Sequence, residues 1–119
     1  MAFQEILQEI VTNVDGGLAG VVMGMDGITV DSFTSPEFPF DLQVLGVESA
    51  TLMREIKRAA ESLRSGSLRE ISFMSEGATV ILRALTDEYF VALVLSPNGN
   101  FGKGRYLLKR AGPRLMAEF

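Results

Sequence analysis

The chain has 119 residues, 47% apolar and 22% charged, which suits one domain burying roughly two-thirds of its unfolded surface and is too apolar for a disordered segment. It has no Cys and no His, which excludes disulfides and thiolate metal sites and removes the commonest general base and metal ligand. The net charge of −4 is uneven: Lys103, Arg105, Lys109, Arg110 and Arg114 against Glu118 put about +4 on residues 100–119 and leave about −8 elsewhere, an acidic body that argues against general nucleic-acid binding.

Glu5 and Glu9 fall where a secretory signal needs a basic start and an unbroken apolar run. No apolar stretch approaches the roughly 20 residues that span a bilayer. The expected address is cytoplasmic, with no membrane partner. Phe3, Ile6, Leu7, Ile10, Val11 and Val14 recur on one helical face with Gln4, Glu5, Gln8 and Glu9 opposite, which predicts a first helix ending at Asp15-Gly16-Gly17. The β-branched stretch that follows is interrupted at Met25-Asp26-Gly27, where Asp-Gly supplies the positive φ of a tight turn, so residues 18–24 and 28–33 read as a hairpin.

TSPEFPF, residues 34–40, has two prolines and no period; it reads as a loop whose Phe38 and Phe40 either tuck under or are presented. Asp41 is a natural N-cap for a long second helix running through Ser65 and closed by Gly66. Its apolar face is expected to hold Leu45, Leu52, Met53, Ile56, Ala59, Ala60 and Leu63. Residues 68–75, 78–85 and 89–95 read as three strands whose turns, Glu76-Gly77 and Thr86-Asp87-Glu88, are too short for anything but antiparallel neighbours. ATVILRAL and YFVALVLS are apolar at nearly every position, the mark of central strands covered on both faces. Arg83 is the one charge in the first of these; it must find a partner, reach an edge, or pack its stem and send its head outward.

SPNGNFGKGRY, residues 96–106, poses the question of a phosphate cradle. A phosphate-binding loop needs G-x-x-x-x-G-K-[ST]; here Gly99 and Gly102 are separated by two residues and Gly104 stands where a hydroxyl is required. No third glycine completes a dinucleotide fingerprint. The stretch reads instead as a Pro97-Asn98-Gly99 turn and an Asn100 cap, with Gly102 and Gly104 letting the last helix approach the sheet. Pro113 predicts a kink or break in that helix. Asp26, Asp31, Asp87 and Glu88 sit in or beside turns, Ser62, Ser65 and Ser67 lack a His partner, and no metal-ligand spacing emerges. No enzyme activity, metal or cofactor is expected.

The order α-β-β-α-β-β-β-α, together with GVVMGMDGITVDS, ESATLMREIKRAAESL and TVILRALTDEYFVALVLSPNGNFGKGRYLLKRAGPRL, resembles the roadblock/dynein light-chain family and more narrowly its bacterial MglB-like branch. The likeness spans almost the whole chain, so residues 1–119 form one roadblock-like domain. It implies an α+β fold: a five-stranded antiparallel sheet in order 2-1-5-4-3, the long helix on one face and the terminal helices on the other. It further implies a homodimer paired through the third strand and second helix, in this sequence Glu70, Ile71, Ser72, Phe73 and Met74 with Leu45, Ser49, Leu52, Met53 and Ile56. Sealing an apolar edge strand gives such pairing a physical motive. Functionally the resemblance implies a non-catalytic regulator or binding partner of a Ras-like small GTPase, one that promotes GTP hydrolysis without supplying an arginine finger, with Arg54, Lys57, Arg58 and Glu61 as candidate contacts. The alternative is a structural adaptor subunit of a motor or signalling complex.

Overall fold

A computed structural model of the protein describes residues 2–119. Its elements are α1 (Ala2–Thr12), β1 (Gly17–Gly24), β2 (Thr29–Thr34), α2 (Leu42–Ser62), β3 (Glu70–Met74), β4 (Thr79–Ala84), β5 (Tyr89–Leu95) and α3 (Phe101–Met116). The strands form one antiparallel sheet in the order β2-β1-β5-β4-β3. This is the fold class and strand order that the resemblance implies.

Alternation along β5 shows how the layers are built. Val91, Leu93 and Leu95 point to the face covered by α1 and α3, where they join Ile6, Leu7, Ile10, Leu108 and Leu115. Phe90, Ala92 and Val94 point to the face covered by α2, with Val21, Met23, Met53 and Leu82. Every residue from Phe90 to Leu95 is fully buried, which is why the strand carries no polar alternation. Burial of one such Leu or Val stabilises the fold by roughly 1.5–3 kcal/mol.

The glycine-rich stretch is a structural junction. Ser96 N–H donates to the Gly16 carbonyl (2.8 Å) and Asn100 N–H to the Asp15 carbonyl (3.0 Å), so the loop before α3 is fastened to the turn after α1. Asn100 caps α3, its side chain accepting from Lys103 N–H at 3.1 Å. Gly104 is buried, and a Cβ there would lie 3.1 Å from methyl carbons of both Leu93 and Leu95. Gly102 has no such neighbour: it is exposed, and its part in the close approach is corrected to Gly104 alone.

The helix continues through Pro113 to Met116 rather than breaking. Pro113 and Lys109 lie on the exposed side of α3, where water can serve the Lys109 carbonyl that the proline cannot pair. Gly112 also lacks the Cβ whose collision with a following proline ring drives most residues out of helical backbone.

Helix α2 starts where expected: the Asp41 carboxylate accepts from Gln43 N–H (2.8 Å) and Val44 N–H (3.2 Å). It ends at Ser62, before the expected Ser65, with Arg64 and Gly66 at positive φ. Its buried side also differs from the expected one. Gly46, Ser49, Ala50 and Met53 face the sheet, whereas Leu52, Ile56 and Leu63 are 36%, 39% and 78% exposed. Small residues let the helix backbone settle onto the strands, which turns the larger aliphatic stripe about a quarter-turn to the side.

Candidate functional site

Among the described residues, strand β3 pairs only with β4, so its outer edge offers unpaired backbone groups. Glu70 and Ile71 are half-buried, and Ser72, Phe73 and Met74 are exposed. Beside this edge runs the displaced stripe of α2. Between the two lies an apolar cleft of about 310 Å³ lined by Phe40, Val44, Leu45, Phe73 and Val80. Leu52 and Ile56 follow Leu45 on the same helix face, two and three turns on. The TSPEFPF loop both tucks and presents: Phe38 packs on the core, and Phe40, edge-on to it at 5.9 Å, stays exposed at the cleft.

Of the residues expected to pair with a second copy, Leu45, Leu52, Ile56, Ile71, Ser72, Phe73 and Met74 thus offer surface along one side of the molecule. Ser49 and Met53 do not, because they are 2% and 0% exposed beneath α2. Glu70 is engaged within the chain. The register sets it opposite Arg83, and its carboxylate accepts from Arg83 at 3.2 Å and also from Arg105 of α3. Arg83 has therefore found a partner across the ladder, and β3, β4 and α3 are tied through one half-buried carboxylate. Sequence reading missed this triad. Its only signal was the antiparallel count through the Glu76-Gly77 turn, which places residues 70 and 83 in register.

The four candidate contact residues lie along α2 away from β3. Arg54 donates to the Met25 carbonyl and so fastens the helix to the hairpin turn. Arg58 pairs with Glu55 at 2.7 Å on the exposed surface, and this hydrogen-bonded carboxylate raises the Arg58 pKa. Lys57 and Glu61 line an open cleft of about 640 Å³ with Met25, Leu68 and Asp87. They are the two of the four whose side chains make neither an ion pair nor a hydrogen bond among the described residues. On the opposite face of the sheet Arg114 bridges α3 to Glu9 of α1 at 3.1 Å, and its guanidinium holds the Glu9 carboxyl below the ordinary carboxylate range.

Among solved structures the chain is similar to MglC from Myxococcus xanthus, at 42% identity over 100% of both chains with a TM-score of 0.74. The chain belongs to the roadblock/LC7 family. Its backbone also matches the gliding protein mglB from Thermus thermophilus (18% identity, 95% of this chain and 84% of that one, TM-score 0.85) and the Roadblock/LC7 domain from Streptomyces avermitilis (14%, 95% and 97%, TM-score 0.77). These two show the roadblock fold alone, whereas full-length identity to MglC carries the kinship. No family model matches the chain, and no curated protein sequence matches it. Among the described residues, no helix is long and apolar enough to cross a membrane.

Proposed function

We propose that this roadblock protein is a cytoplasmic, non-catalytic regulator or binding partner of a Ras-like small GTPase and works as a homodimer. The observation that carries the proposal is the continuous apolar border formed by the open edge of β3, the Phe40–Phe73 cleft and the Leu45, Leu52, Ile56 stripe of α2. Single exposed aliphatic residues need no explanation, but a row of them beside an unpaired strand is the pattern that self-association covers. Twofold pairing of this border would join two sheets edge to edge and set two α2 helices side by side. The outer face of that helix pair, with Lys57 and Glu61 bonded to no side chain among the described residues and Arg54 and Arg58 close by, would then be the platform for the GTPase.

Light scattering at micromolar concentration should give twice the chain mass of 13.0 kDa. The dimer should change the rate of GTP hydrolysis by a cognate bacterial Ras-like GTPase. A dimer that binds the GTPase without altering hydrolysis supports the binding-partner reading, and a dimer with no affinity for any such GTPase leaves the adaptor reading. A lone 13.0 kDa particle rejects the platform altogether.

A further inference from the structure

The end of the sheet beyond Glu70 carries a second surface that the proposed platform does not use. The irregular segment 65–69 joining α2 to β3, together with Arg83 and two residues of α3, lines an open cleft of about 650 Å³. Four cations face it, Arg69, Arg83, Arg105 and Lys109, against the single carboxylate Glu70. The cleft therefore carries a net +3 on a chain of net −4, which leaves −7 on everything else.

The one carboxylate is already divided between Arg83 and Arg105. Among the described residues, neither Arg69 nor Lys109 has an ion-pair partner. Arg105 and Lys109 stand four apart on α3, a spacing at which like charges repel and destabilise a helix. Folding alone gains nothing from adding two further cations to a site whose anion is shared out. An incoming anion does gain, since Arg83 is held in place with its side chain 19% exposed and the remaining −7 steers negative groups away from the rest of the surface.

We infer that this cleft binds a carboxylate-rich segment of a partner protein, with Arg69 and Lys109 taking up its charges. Nucleic acid fits poorly: no aromatic side chain lines the cleft to stack a base, and four cations make a small footprint on an acidic protein. A membrane surface fits poorly too, because among the described residues no exposed large apolar side chain lines the cleft to insert, and the acidic remainder of the protein is repelled by anionic lipid. The cleft shares only Glu70 with the border expected to meet a second copy, and that carboxylate is turned into the chain. The inference thus does not depend on the GTPase reading.

The test is fluorescence anisotropy of the full chain with a fluorescein-labelled peptide alternating Glu and Gly, compared with a single-stranded DNA oligonucleotide and with phosphatidylserine vesicles. The peptide should bind at low ionic strength and weaken as salt rises. The double variant Arg69→Gln/Lys109→Gln, at two exposed positions, should bind it at least about tenfold more weakly, whereas Lys103→Gln/Arg110→Gln, an equal change of charge elsewhere on α3, should shift it less than about twofold. Amide NMR shifts of the unaltered protein with the peptide should be largest at residues 65–69 and 105–109, a readout that needs no variant. Equal losses in the two double variants, no peptide binding at low salt, or tighter binding of the DNA or the vesicles than of the peptide would each overturn the inference.

Discussion

Glu70 offers the sharpest test of how the β3 edge is held. Replacing it with Ala leaves Arg83, whose side chain is 19% exposed, without a carboxylate, while Arg105, whose side chain is 59% exposed, returns to water at little cost. Breaking a fully buried pair from one side costs roughly 3–5 kcal/mol, and an exposed pair contributes at most about 1. Arg83 lies nearer the buried limit but keeps partial hydration, so Glu70→Ala should cost about 2 kcal/mol. For a domain of this size that corresponds to a fall in Tm of roughly 8 °C. Arg83→Met should cost less, under about 1 kcal/mol, because Arg105 still serves the remaining carboxylate. The double variant should be more stable than Glu70→Ala by about 1 kcal/mol, since the orphaned cation is gone and the Met chain replaces the arginine stem. Urea unfolding of the four proteins at neutral pH, followed by circular dichroism, measures the cycle. If Glu70→Ala unfolds within about 0.5 kcal/mol of the unaltered chain, or the double variant is no better than Glu70→Ala, the triad does not hold the edge as argued.

Three further outcomes follow from single contacts. Gly16 has φ +81 and a Cβ there would lie 2.6 Å from Gly99 Cα, so Gly16→Ala should lose at least about 2 kcal/mol in a thermal melt; a loss under about 0.5 would contradict the close packing of the two turns. Pro113→Ala restores an amide donor for the Lys109 carbonyl and should stabilise the protein by about 1 kcal/mol, with unchanged or lower stability counting against a continuous α3. Glu9 has its pKa lowered first by the Arg114 hydrogen bond and then by that guanidinium's charge, so the pair's contribution is present above the ordinary carboxylate pKa and is lost as pH falls through the lower folded value. NMR titration should place the Glu9 midpoint below the ordinary range and return it there in Arg114→Gln; an identical midpoint in the two proteins would show that the bridge does not form in solution.

Particular residues show what was readable in advance. Period and punctuation located every element: the 3.6-residue recurrence from Phe3 to Val14, Asp26-Gly27 between two β-branched runs, and Asp41 and Asn100 as caps are local signals, decided by backbone sterics and hydrogen bonds within a few residues. The two-sided burial of β4 and β5 was equally visible, because an unbroken apolar strand has only one stable setting. The fate of Pro113 was not, since it depended on which side of α3 faces water. The apolar surface of α2 was legible as composition but not as direction. Leu45, Leu52, Met53 and Ile56 all read as one face, yet Met53 is buried and Leu52 and Ile56 are not.

The linear order of residues by itself determined the succession of helices and strands, the layered α+β architecture and the absence of His and Cys chemistry, because these depend on nearest neighbours and composition. Tertiary structure alone decided that Arg105 of α3 reaches the Glu70–Arg83 pair, that Gly46, Ser49 and Ala50 carry α2 against the sheet, and that four cations converge on one cleft. Those outcomes depend on where α3 crosses the sheet and on the rotation of each helix about its axis. Both are set by how side chains from distant segments fit together, and no window of sequence contains that information.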